Sequence, residues 1–148
     1  MHNDAFCSGE AWKTAFMETK RFMVIYNIRP MLPGHSIVIP KRHMLYITDL
    51  TNEEISELGL LFRKLIPLLL NTYNADSYNF SANVGKHSGR EIDHLHFHIV
   101  PRNANDIYQK KMTSFYSSLQ LGRYKYIKNV DSEVAKLRRI FKYKQHKK

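Results

Sequence analysis

The segment His94-Leu95-His96-Phe97-His98-Ile99-Val100 carries the clearest chemical signal in the chain. Side chains alternate across a strand. Leu95, Phe97 and Ile99 are therefore expected to enter a core while His94, His96 and His98 face the other way, ~7 Å apart at alternate positions. Three readings compete for such a row. It is a solvated face with no role, or a metal site, since three histidines can hold zinc with one position open, or a site of phosphoryl or nucleotidyl transfer. On a straight strand the outer imidazoles stand ~13 Å apart, too far to meet on one ion. An imidazole is a good nucleophile near neutral pH when a hydrogen bond orients its second nitrogen. Neighbouring imidazoles can donate to phosphate oxygens as charge builds up there.

These histidines need a scaffold, and the flanking sequence supplies one. Residues 14–19 and 22–27 read as strands joined at a Lys20-Arg21 turn. Pro30, Pro33 and Gly34 punctuate a loop, and residues 35–40 form a third strand closed by Pro40. Thr51-Asn52-Glu53-Glu54 is a capping box. Ile55, Leu58, Phe62, Leu65 and Leu69 follow at helical spacing, which predicts an amphipathic helix over about 52–73, kinked at Pro67. Strands are expected at 77–83 and 94–100, the last stopped by Pro101. Asp131 or Ser132 is expected to cap a final helix with Val134, Leu137, Ile140 and Phe141 on one side. Consecutive strands with turn-length links imply an α+β fold, an antiparallel sheet with a helix packed on one face.

The chain has 148 residues and a formal net charge of +10. That charge is unevenly placed. Residues 1–109 are balanced, and the whole excess lies in residues 110–148. The organisation this implies is one domain over 1–109 followed by a basic, partly helical extension over 110–148. A content of 43% hydrophobic residues argues against global disorder. No apolar run is long enough for a bilayer, and the first residues do not resemble a signal peptide, so no membrane is expected. Cys7 is the single cysteine, which excludes an intrachain disulfide and fits a reducing, cytoplasmic setting. Tyr124-Lys125-Tyr126-Ile127-Lys128 and the Lys-rich end interleave aromatics with cations, a pattern that can bind nucleic acid. An ordinary solvated helix face explains the same composition and is favoured.

The His-x-His-x-His run with two apolar residues after it resembles the signature of the histidine triad family. The resemblance extends to Pro33-Gly34-His35 through His43, to Asn27, to Asn83 with Gly85, to Ser88-Gly89, and to Pro101-Arg102, covering roughly residues 4–102. It looks most like the dinucleoside-polyphosphate-cleaving branches, such as the fragile-histidine-triad type. It implies a sheet of about five strands that pairs edge to edge in a homodimer. It implies a nucleotide substrate, with His96 attacking the α-phosphorus to form a nucleotidyl-histidine. His98 would donate to the α-phosphate oxygens, and His94 and His35 would complete the cluster. Asn27 would bind ribose, while Asn83, Ser88 and Gly89 would contact phosphates or the leaving group. The nucleophile needs no metal, although Mg²⁺ can accompany the substrate.

The sequence also departs from the family. Many members have Gly-Gln-Ser or Gly-Gln-Thr before the triad, where this chain has Gly89-Arg90-Glu91. That weakens the phosphoramide-cleaving branch and suggests Arg90 as a partner for a polyphosphate leaving group. Many members also build a structural zinc site from two N-terminal cysteines, the His after the Pro-Lys pair and the first triad His. The matching positions here are Asp4, Cys7, His43 and His94, a competent ligand set. The competing reading makes Cys7 a small buried apolar residue. Phosphorolysis and phosphoramide hydrolysis remain alternatives of the same class. A non-catalytic nucleotide or nucleic-acid binding module is the alternative of a different class.

Overall fold

The computed structural model describes residues 4–108 and 129–143. A short 3-10 turn, Glu10–Thr14, leads into strands β1 (Ala15–Glu18), β2 (Phe22–Tyr26) and β3 (Ser36–Pro40). Helix α1 (Asn52–Thr72), strands β4 (Ser77–Ser81) and β5 (Phe97–Arg102), and helix α2 (Val130–Ile140) follow. The five strands form one sheet in the order β1-β2-β3-β5-β4, antiparallel at every pairing. This is the expected α+β arrangement. Among the described residues no helix is long and apolar enough to cross a membrane. The basic stretch Tyr124–Lys128 and the Lys-rich end beyond Tyr143 lie outside the described residues.

Both faces of the central strands are buried, which explains the near-continuous β-branched runs. Phe16, Phe22, Val24, Tyr26 and Val38 meet Leu58, Leu61, Leu65 and Leu69 of α1 on one face. Met23, Ile25, Ile37 and Ile39 gather with Phe6 and Ala15 on the other. Leu95, Phe97 and Ile99 join the α1-side core, as the alternation predicts. The start of α1 is the expected capping box: Glu54 N–H donates to Thr51 Oγ1 (3.3 Å) and Thr51 N–H to Glu54 Oε2 (2.8 Å). Glu54 is buried and bridged at 2.7 Å by Arg42, whose hydrogen bonds hold its carboxyl down to about 2.

Three details differ from the sequence expectation. Ile55 is 53% exposed and Leu61 takes its place in the core, because the apolar stripe rotates by one position after the cap. As the periodicity implied, helix α1 runs through Pro67; that residue and Arg63, whose carbonyl loses its partner, both face solvent, where water can take the role. The cap of α2 is Asn129, whose Oδ1 accepts from Ser132 N–H at 3.1 Å. Strand β5 starts at Phe97 and runs through Pro101 to Arg102. Pro101 lies beyond Ile99, the last residue of β5 paired with β3, so its missing N–H costs no bond on that side.

Two features place the site. At Gly34 φ is +85°, and an added Cβ would sit 2.6 Å from the Tyr73 ring and 2.8 Å from Pro101. Only glycine fits there, and the close approach delivers His35 against β5. At the other side, α2 covers the outer edge of β1. Arg138 donates from Nε to Ala15 O and from Nη2 to Lys13 O, both at 2.8 Å. Val134 and Leu137 enter the main core. This part of the basic extension is therefore structural. Among the described residues the opposite edge, β4, has no strand beyond it, and Tyr78 and Phe80 are 45% and 46% exposed on it.

Candidate active site

Strand β5 and the residues leading into it bring His96 and His98 to the sheet face opposite α1. Both are buried, and their ring centroids are 5.0 Å apart, closer than a straight strand gives. The reason is that His94, Leu95 and His96 precede the strand, so the three histidines do not form one regular row. Hydrogen bonds assign each ring its tautomer. His96 Nδ1 lies 2.8 Å from the His94 carbonyl, which only accepts, so Nδ1 carries the proton and Nε2 keeps a lone pair. Met31 N–H donates to His35 Nδ1 at 3.1 Å, so His35 bears its proton on Nε2 and donates to His98 Nδ1 at 3.0 Å. His98 therefore carries its proton on Nε2. One cavity thus meets a nucleophilic nitrogen from His96 and an N–H donor from His98.

Burial keeps these rings neutral. It pushes His35 down to about 3, with His96 nearby adding to the effect. It also holds His98 well below the ordinary imidazole range, helped by His35 and His96. His96 is lowered by burial as well, while its hydrogen bond to the His94 carbonyl pulls the other way.

The cavity has a volume of about 700 Å³, within the range that holds a ligand of nucleotide size. Asn27, Asn83 and Gly89 line it with His96 and His98. Asn27 Oδ1 accepts from Arg29 N–H at 2.9 Å, and its Nδ2 lies 3.3 Å from His35 Nε2. Asn83 Nδ2 donates to Gly89 O at 3.3 Å, closing the β4–β5 loop. Ser88 and Arg90 do not line the cavity. Ser88 Oγ donates to Gly85 O, and Arg90 is bound to Asp93 at 2.7 Å and to Leu45 O at 3.4 Å. The sequence reading missed the apolar lining residues Ile25, Ile28, Ile37 and Ala11, and the contribution of Val130 and Asp131 from α2. Nothing in a strand buried on both faces marks which side lines a cavity. Phe6 went unnoticed too, although its ring packs edge-on against His94 and His96 at 5.6 and 5.4 Å.

The His94 side chain leaves the cavity. Its Nε2–H donates to Pro40 O at 2.9 Å, so Nδ1 turns its lone pair toward Asp4 Oδ1 (3.5 Å) and Cys7 Sγ (3.6 Å). Asp4, His43 and His94 each offer a ligand atom within 4.8 Å of the others. Asp4 Oδ2 is buried without a hydrogen-bond partner. An orphaned carboxylate oxygen beside two imidazoles and a thiol fits a cation. Cys7 is exposed, which corrects its reading as a small buried apolar residue.

An antiparallel α+β domain with a buried imidazole pair facing one cavity is an arrangement chemically suited to phosphoryl or nucleotidyl transfer. The HIT domain family model matches residues 8–105, and the chain belongs to that family. It is 29% identical to a bis(5'-adenosyl)-triphosphatase of Dictyostelium discoideum over 89% of this chain and 88% of that protein. It is 32% identical to an asymmetrical bis(5'-nucleosyl)-tetraphosphatase of Schizosaccharomyces pombe over 71% of this chain and 57% of that one. A solved zinc-bound histidine triad family protein from Mycobacterium smegmatis superposes with a TM-score of 0.68 at 25% identity, covering 93% of this chain and 90% of that one. The chain spans from 23% to 88% of the length of curated relatives. The relatives named for an activity here are hydrolases.

The buried neutral histidines link stability to pH. In the unfolded chain His35 titrates near 6.5, while in the folded protein it resists protonation until about 3. Its contribution is whole above pH 6.5 and is lost as pH falls toward 3. Urea denaturation should therefore give a lower unfolding free energy at about pH 4.5 than at about pH 7.5, and His35→Gln should narrow that difference. An equal pH dependence in both proteins would refute the linkage.

Proposed function

We propose that this protein cleaves the α-phosphate linkage of dinucleoside polyphosphates, such as diadenosine tri- or tetraphosphate, and releases a nucleoside monophosphate. The observation that carries this reading is the pairing of a His96 lone pair and a His98 N–H on one cavity. His96 Nε2 attacks the α-phosphorus, the bond to the departing polyphosphate breaks, and a nucleotidyl-histidine forms. His98 Nε2–H donates to a non-bridging α-phosphate oxygen, and the buried site strengthens that bond. Water then displaces the histidine. Splitting one displacement into two is what covalent catalysis offers. The apolar lining residues suit a base, and Asn27, which lines the same cavity, supplies an amide for ribose hydroxyls. The two hydrolases of dinucleoside polyphosphates above support the substrate class.

His96→Ala should lower kcat on diadenosine tetraphosphate by at least about 10⁴-fold, the scale expected for loss of a nucleophile, with native near-UV circular dichroism. Rapid acid quench of wild type should trap a nucleotidyl-protein that the variant lacks. If wild type binds AMP yet turns over neither dinucleotides nor phosphoramidates, the protein is a binding module instead.

A structural zinc at Asp4, Cys7, His43 and His94 belongs to the same reading. When bound, the ion would clamp the N-terminal segment to the loop before β5, and the catalytic step does not pass through it. Its support is the orphaned Asp4 oxygen and the orientation of His94 Nδ1. Purified protein should hold close to one zinc per chain, and chelation should lower Tm. Well under one zinc per chain rules the site out.

The proposed homodimer pairs β4 with β4 of a second copy. Arg138 and α2 close the β1 edge, while among the described residues β4 has no further strand beside it and carries the half-exposed Tyr78 and Phe80. Light scattering should give the mass of two chains, and Phe80→Glu should give one. A monomeric wild type rejects the pairing.

A further inference from the structure

The substrate cavity and the cation cluster share one piece of chain. Ala5, Phe6, Glu10, Ala11, Lys13 and Thr14 all line the cavity, so the segment before β1 builds a large part of its wall. The same segment carries Asp4 and Cys7, whose side chains approach His94 Nδ1 at 3.5 and 3.6 Å. Asp4 uses its two oxygens differently. Oδ1 accepts from Phe6 N–H (2.8 Å) and Cys7 N–H (2.9 Å), which shapes residues 4–7 into a turn. Oδ2 is the buried orphan, and His43 Nε2 stands 3.8 Å from it. The carboxylate that forms the turn thus also offers the oxygen left over for an ion. Phe6 is where the two sites meet. Its ring packs against His94 of the cluster at 5.6 Å and against His96 of the cavity at 5.4 Å. Its carbonyl accepts from Trp12 Nε1–H at 3.2 Å, so hydrogen bonds run from Asp4 through Phe6 to the 3-10 turn that faces the cavity. Beyond that turn the segment enters β1, and Arg138 donates to Lys13 O.

We propose that cation binding at Asp4, Cys7, His43 and His94 is coupled to nucleotide binding in the cavity, each raising the affinity for the other through the turn at Asp4 and Phe6. This rests on the zinc and nucleotide readings above. The far end of the wall segment is held by β1 and α2, and its near end is held at the cluster. A nucleotide that enters must keep this wall in place, and holding chain in one conformation costs entropy. An ion that already ties Asp4 to the two imidazoles removes part of that cost. Charge acts in the same direction, because a divalent cation offsets the Asp4 carboxylate close to the site of an anionic α-phosphate. Neither effect needs the ion to touch the substrate. Linkage makes the coupling reciprocal.

The test measures affinities rather than turnover. Full-length protein is stripped of metal with a chelator, dialysed, and divided, and one part is reloaded with zinc. In calorimetric titrations zinc should tighten AMP binding by about fivefold or more. Saturating AMP should tighten zinc binding, measured against a competing chelator, by the same factor. Trp12 is the single tryptophan, so its emission should change when zinc is added without nucleotide. Asp4→Asn keeps an oxygen for the Phe6 and Cys7 N–H groups but lacks the charge, so its AMP affinity should stay at the stripped value with or without zinc. If zinc tightens AMP equally in Asp4→Asn, the ion acts through the nucleotide and the coupling is overturned. One zinc per chain with unchanged AMP affinity overturns the coupling and leaves both parent readings standing. No zinc bound overturns the coupling and the zinc site, and no AMP bound overturns the coupling and the nucleotide reading. Loss of native near-UV circular dichroism on stripping means the ion holds the whole fold, which also overturns a local coupling.

Discussion

Everything at this site depends on a hydrogen-bond relay that works only while its imidazoles are neutral. Met31 N–H fixes His35, His35 fixes His98, and the His94 carbonyl fixes His96. A proton added to His35 Nδ1 would turn the acceptor for Met31 N–H into a donor and set two donors against each other. The fold prevents this by burying His35 completely beneath β3 and β5. Burial that lowers proton affinity thus keeps the rings neutral, and the hydrogen bonds of the relay choose their tautomers. The His96 side chain then needs no carboxylate partner to orient it, because a main-chain carbonyl two residues away does so.

The same economy runs through the scaffold. Gly34 lets the Tyr73 ring and Pro101 press against the main chain, so the end of α1 and strand β5 locate His35 directly. Tyr73 is itself held from the other side: its hydroxyl donates to Glu133 at 2.7 Å, and Lys136 lies 4.2 Å from its ring centroid. Helix α2 thus touches the packing that positions His35, closes the β1 edge through Arg138, and supplies two residues of the cavity wall. A truncation meant to strip charge from the C-terminal segment would also remove Leu137, which is fully buried.

Much of the architecture was legible from sequence because local signals agreed with the global pattern. The capping box at Thr51, the Lys20-Arg21 turn and the alternation of Leu95, Phe97 and Ile99 each require only neighbouring residues to be read. The resemblance to the triad family, carried by two separated motifs, is matched by the family model over residues 8–105. What stayed hidden depends on long-range docking. Phe6 and Val130 reach the cavity from remote parts of the chain. The outward turn of the His94 side chain follows from a carbonyl at Pro40, which no spacing rule announces. Ile55 was misread because helical periodicity gives a face but not its phase against a sheet.

The contribution of α2 to the cavity wall also has a consequence for the order of events during synthesis. All four histidines of the site are translated before residue 99, whereas Val130 and Asp131 follow about thirty residues later, a delay of a few seconds at ordinary elongation rates. The histidine-bearing segments and the helix that completes their pocket wall are thus separated in the order of synthesis. Because α2 enters the core, covers the β1 edge and adds to the cavity wall, completion of the pocket and protection against edge pairing depend on the same late-made helix.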